Sequence, residues 1–160
     1  MKYWLKQSLF LLPVAGLLAL SSVSVKAQEE DVTVEALYQK AVELNMSGNS
    51  ADASKTFERL FELSGGYETL FEDFGAKAGG LLFDYGMTLL PQARWEDAKA
   101  VFTISVNAAE WAERVDSPIK SKNPRETLAK FQLGFCEAQL GNHEEALKLY
   151  DEYLAANPAA

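Results

Sequence analysis

Past residue 30 the apolar positions recur with a helical spacing, and the helix breakers fall between helix-length blocks rather than inside them. Val34, Leu37, Tyr38, Ala41 and Leu44 mark one face of a first helix, ended by Ser47-Gly48-Asn49. Ala53, Phe57, Leu60, Phe61 and Leu63 mark a second, with Gly65-Gly66 behind it as a C-terminal stop. The spacing predicts a third helix from about Leu81 to Leu90 and a fourth from about Trp95 to Arg114. Asn123-Pro124-Arg125-Glu126 reads as an N-cap, a proline in the first turn and a glutamate reaching back to the cap. It opens a helix to about Leu140; Gly141-Asn142 then turns the chain into a last helix, Glu144 to Ala156, closed by Asn157-Pro158. Tyr67 to Ala78 reads as a helical extension and Asp116 to Lys122 as a loop. No segment carries convincing two-residue alternation, so the expected fold class is all-α.

The N-terminal pattern is different. Lys2 and Lys6 precede a twelve-residue apolar run, Leu9 to Leu20, followed by a small and polar stretch to Ala27. That layout predicts a secretory signal peptide over residues 1–27, cleaved after Ala27. Twelve helical residues reach about 18 Å, short of the ~30 Å hydrocarbon core, so the run is not expected to span a membrane. No cysteine stands directly after it, so a bacterial lipid anchor is not expected. The expected location is periplasmic or secreted, with no stable membrane span after cleavage. Residues 28–33 then form an acidic segment with Glu29, Glu30 and Asp31.

Composition narrows the functional classes. The 160-residue chain is 48% hydrophobic and 24% charged, with formal charge −8. Such a composition belongs to a foldable domain or a short repeat array, not to disorder or a multi-pass membrane protein. The acidic balance argues against nucleic acid, whose phosphates need clustered Lys and Arg. One cysteine, Cys136, permits no intramolecular disulfide and reads as a small apolar helix residue. The one histidine, His143, sits at a predicted turn, and no nucleophile elbow, phosphate loop or metal-ligand spacing is present. No catalytic residue, metal or cofactor is therefore expected, and the chain is read as a non-enzyme.

One turn recurs three times. Gly48-Asn49-Ser50-Ala51-Asp52-Ala53, Ala93-Arg94-Trp95-Glu96-Asp97-Ala98 and Gly141-Asn142-His143-Glu144-Glu145-Ala146 share an order of small, polar, variable, then alanine. Twelve residues before the alanines stand Ala41, Gly86 and Gly134; four after them stand Phe57, Phe102 and Tyr150. Small residues thus recur where two helices would cross closely, and an aromatic recurs where it would fill the gap. Leu133-Gly134 through Ala146-Leu147 to Tyr150, Tyr153 and Asn157-Pro158 resembles the tetratricopeptide repeat. Three units resemble it, at about 34–67, 79–112 and 127–160, with inserted residues between them. Lys130 and Glu137 depart from the pattern, standing where the family usually has apolar or aromatic residues.

The resemblance implies a helix-turn-helix solenoid in which the first helix of each unit lines a concave groove. The matching positions are Tyr38, Phe83 and Phe131, and one turn on Val42, Met87 and Phe135. The implied groove is apolar and suits a peptide or amphipathic helix, each Å² of apolar burial being worth about 25 cal/mol before ordering costs. It lacks the Lys and Asn with which some members clamp a carboxylate. The expected function is an exported, non-catalytic interaction scaffold for a protein or peptide. The alternatives are a recruiting or regulatory segment of a longer exported enzyme or envelope complex, and a structural oligomer. Because solenoids usually finish with a capping helix, Leu147, Leu149, Tyr150 and Leu154 are expected to need further repeats or self-association for cover.

Overall fold

A computed structural model describes residues 33–158. The expected signal peptide and nearly all of the acidic segment lie outside the described residues. Within them every regular element is helical: α1 (Val34–Met46), α2 (Ser50–Leu63), α3 (Tyr67–Phe74), α4 (Ala78–Leu89), α5 (Trp95–Val106), α6 (Ala108–Arg114), α7 (Glu126–Gln139) and α8 (His143–Ala156). Short 3-10 turns, Gly75–Lys77 and Leu90–Gln92, precede and follow α4.

Local chemistry sets the first boundaries. The Thr33 hydroxyl accepts from the Ala36 N–H at 3.1 Å and starts α1, and the Asn49 side chain accepts from the Asp52 N–H to start α2. Between them Gly48 adopts φ +83°, which lets the Asn49 N–H reach back to the Leu44 carbonyl at 2.9 Å. The same turn is built twice more. Ala93 (φ 54°) and Gly141 (φ +84°) occupy the left-handed position, and the N–H groups of Arg94 and Asn142 bond the carbonyls of Leu89 and Glu137. Each turn closes an antiparallel pair: α1 with α2, α4 with α5, α7 with α8. The second helix of each pair packs on the first helix of the next, α2 on α4 and α5 on α7.

The core runs through these contacts. Phe57, Phe102, Leu60, Leu82 and Leu89 are fully buried, and no buried side-chain polar atom among the described residues lacks a hydrogen-bond partner. Off the main stack, α3 and α6 pack together, with Phe71 and Trp111 stacked at 5.8 Å and 16°. Ser117 Oγ donates to the Glu72 carbonyl, and Ser121 Oγ donates to the Phe74 carbonyl. The segment 115–125 is thereby tied to the end of α3.

Three boundaries differ from those the sequence predicts. The third helix starts at Ala78 rather than Leu81, directly after the 3-10 turn. The fourth is divided at Asn107, where φ −90° and ψ 22° depart from helical values. Asn123 is the physical reason: its amide donates to the Ser105 carbonyl at 2.6 Å and competes with the helical N–H that this carbonyl would otherwise serve. Ser105 Oγ meanwhile donates to the Gly79 carbonyl at 2.6 Å. The third difference follows from the second. Asn123 does not cap α7; Arg125 holds that position without a side-chain bond, and Asn123 Oδ1 accepts only from the Arg125 N–H.

Candidate functional site

The first helices of the first two pairs and the approach to α7 converge on a cleft of about 410 Å³. From α1 come Val34, Glu35 and Tyr38; from α4, Gly80, Leu81 and Asp84; from the approach to α7, Lys122, Pro124 and Arg125; and from the end of α3 and the turn after it, Phe74 and Lys77. The helical period places Tyr38 one turn after Val34 and Glu35, and Asp84 one turn after Gly80 and Leu81. Proline and glycine meet where the approach to α7 crosses α4. A Cβ on Gly80 would touch the Pro124 ring at 3.7 Å.

Charge is arranged across this cleft. Tyr38 Oη donates to Asp84 Oδ2 at 2.8 Å. Burial, reinforced by the Asp84 hydrogen bond and charge, pushes the phenol up to about 12. Burial likewise raises the Asp84 carboxyl, against the opposing pull of the Tyr38 hydrogen bond and the Arg125 charge. The Arg125 guanidinium lies over the Phe83 ring, 5.5 Å from its centre.

The residues predicted to line a groove are distributed differently among surfaces. Tyr38 lines the cleft, and Val42, on its helix, is half-buried. Phe83 is 6% exposed, packed between Phe102 at 5.8 Å and Arg125. Met87 packs against the core. Phe131 leans on Tyr150 and Tyr153 of α8, and Phe135 meets Trp95 of α5 edge-on at 5.7 Å. Sequence reasoning missed Leu81, Asp84, Lys77, Lys122 and Arg125. Leu81 and Asp84 follow from the helical period once the orientation of α4 is known, whereas the three cations lie in or beside the inserted segments and carry no periodic signal.

The small positions sit at helix crossings. Ala41, Ala53 and Ala98 are fully buried, as are Phe57 and Phe102, and Ala146 is nearly so. A Cβ on Gly86 would lie 2.6 Å from the Phe102 ring, and one on Gly134 2.9 Å from the ring of the half-buried Tyr150. The two departures from the repeat pattern each find a partner. Buried Glu137 pairs with Lys99 of α5 at 3.0 Å and accepts from the Asn142 amide at 2.7 Å; Lys130 pairs with Glu152 of α8 at 3.5 Å. Burial alone would raise the Glu137 carboxyl, but the hydrogen bonds from Asn142 and Lys99 together with the Lys99 charge hold it below the ordinary glutamate range.

Cys136 is fully buried, and burial pushes its thiol up to about 11, out of the reactive range. His143 is exposed at the first position of α8. Among the described residues no group of three His, Cys, Asp or Glu is placed to hold a metal ion, and no helix is long and apolar enough to cross a membrane. No family model, curated protein or solved structure matches the chain.

Proposed function

We propose that this chain is an exported, non-catalytic interaction scaffold of the tetratricopeptide-like type, which holds a peptide or helix of a partner protein against the first helices of its three units. The observation that carries the binding role is the cleft where α1, α4 and the approach to α7 converge, with Val34, Leu81 and Phe74 as apolar lining. A concave, partly apolar site with a few placed polar groups is the usual form of a recognition site. The solenoid reading is supported by the thrice-repeated turn with its left-handed residue, and by the chain-order packing of α2 on α4 and α5 on α7. The test is Leu81→Ser, which removes apolar surface from the half-buried lining. Peptide capture should weaken while helical circular dichroism is retained; unchanged capture would sink the assignment of this face.

A second reading concerns the far side of α7 and α8. Leu147 is 64% exposed, Leu154 50%, and Phe131 and Leu128 each 39%. Apolar side chains concentrated on one hairpin favour continuation by another subunit or by further repeats. Light scattering on the purified protein decides it: a dimer that Leu147→Lys with Leu154→Lys converts to monomer supports self-association, and a monomer before substitution removes it.

A further inference from the structure

The cleft gathers cations on an acidic chain. The protein carries 23 acidic and 15 basic residues, yet the cleft lining holds three cations, Lys77, Lys122 and Arg125, against two acids, Glu35 and Asp84. None of the three forms an ion pair among the described residues, a property they share with Lys40, Arg59, Arg114 and Lys120. The two acids of the same lining each accept a hydrogen bond from a neutral group, Asp84 from Tyr38 and Glu35 from the Gln39 amide at 3.0 Å. The backbone that carries the lysines is tied together. Ser121 Oγ accepts from the Lys77 N–H and donates to the Phe74 carbonyl, which joins the segment bearing Lys122 to the turn bearing Lys77. The Arg125 guanidinium lies over the Phe83 ring, and its charge also acts on the Asp84 carboxyl.

We infer that this cleft selects partner peptides in which aspartate or glutamate stands beside a large apolar residue. The inference rests on the peptide-binding reading above and names the partner's chemistry. Leu81, Phe74 and Pro124 offer apolar surface to a leucine or aromatic side chain, and Phe74 remains 40% exposed for its size. An acidic neighbour on the peptide then meets the cations at the rim. The Arg125 guanidinium presents its donors as a fork that matches a carboxylate, and the lysines act as point charges beside it. A basic peptide would place like charges together, and a wholly apolar one would leave the cations without a partner.

The test is selection of a random twelve-residue peptide library on the purified protein, followed by fluorescence anisotropy with the best labelled peptide. Selected peptides should be enriched several-fold in Asp or Glu next to Leu, Phe or Trp. Lys77→Glu with Lys122→Glu and Arg125→Glu should weaken that peptide at least tenfold and turn the selection toward Lys and Arg, at unchanged helical circular dichroism. The milder Gln substitutions at the same three positions should abolish the acidic preference, which keeps the test decisive if full reversal unfolds the chain. Selection of no peptide overturns the peptide-site reading itself. Peptides selected without acidic preference, or unaffected by both sets of substitutions, overturn this inference alone. Acidic peptides that bind only after Glu29, Glu30 and Asp31 are changed to Gln would show that the chain's own acidic segment occupies the cleft, and would overturn the partner assignment.

Discussion

The two junctions between helix pairs solve the same packing problem with different chemistry. Where α2 meets α4 the joint is aromatic: Phe57 lies 5.7 Å and Phe61 5.1 Å from the Tyr85 ring, and Tyr67 closes on Phe61 at 4.9 Å. Its polar tip is satisfied at the edge, Tyr85 Oη donating to Glu58, which also pairs with Arg94. Where α5 meets α7 the joint contains an ion pair, Lys99 with buried Glu137, beside the edge-on contact of Trp95 and Phe135. The aromatic joint gains from area and dispersion and tolerates no loss of volume. The charged joint gains little net free energy from its pair but sets which groups must face each other. A departure from a repeat pattern is thus accommodated when the neighbouring unit supplies its partner.

Breaking the aromatic joint should have the largest effect. Phe57→Ala leaves a cavity in a fully buried site and should cost about 3–5 kcal/mol, read by urea unfolding. A cost below that of the Glu137 variant described below would reverse the ranking of the two joints. The crossings inside the pairs come next. Gly86→Ala drives a methyl into the buried Phe102 ring and should cost about 1–3 kcal/mol. Gly134→Ala should cost less, because Tyr150 is only half-buried and can move aside.

The charged joint should respond to pH. Glu137→Gln should cost about 1–2 kcal/mol at neutral pH, since Lys99 is a third exposed and the pair is partly screened. The folded-state carboxyl of Glu137 is held low, so its contribution is present above the ordinary glutamate range and fades as pH falls through the folded value. The gap between wild type and Glu137→Gln should therefore close in acid, and a gap that persists there would assign the loss to packing. At the other end of the scale the Tyr38 phenol is raised to about 12, so its contribution is full below about 10 and disappears as pH rises through 12. Tyr38→Phe should make that alkaline limb shallower, the raised phenols of Tyr67, Tyr85 and Tyr150 keeping the remainder.

The smallest expected change is a gain. Ala93 occupies the left-handed position that Gly48 and Gly141 fill in the other two turns. Ala93→Gly should stabilise by about 0.5–1 kcal/mol, seen as a higher midpoint in thermal circular dichroism, while Gly48→Ala should destabilise. A loss on Ala93→Gly would mean that chain entropy outweighs the relief of strain at that turn.

How far the chain could be read depended on how local the deciding interactions are. The α1, α2, α7 and α8 boundaries were legible within a residue or two because apolar spacing and a following Gly-Asn or Gly-Gly act within one or two turns. The break at Asn107 was not, because the competing donor is the Asn123 amide, eighteen residues away. The same bond takes Asn123 away from the cap that its neighbours Pro124 and Glu126 advertise. Of the groove positions taken from the repeat pattern, Tyr38 lines the cleft, but Phe83 turns toward Phe102 and leaves Leu81 and Asp84 to face it. That choice belongs to the rotation of α4, which its own period leaves open.

What the sequence determined by itself was the helical class, the pairing of helices through three equivalent turns, and the small-to-aromatic crossings, because each rests on contacts between residues near in the chain. What only the tertiary structure decided was where the cleft lies and what charge it carries. Lys77, Lys122 and Arg125 sit on segments without periodic pattern, and they share a rim because Ser121 ties one insertion to the other and Asn123 ties the approach to α7 onto α5. Long-range hydrogen bonds of this kind have no signature in local spacing, since their partners meet only after the helices have packed.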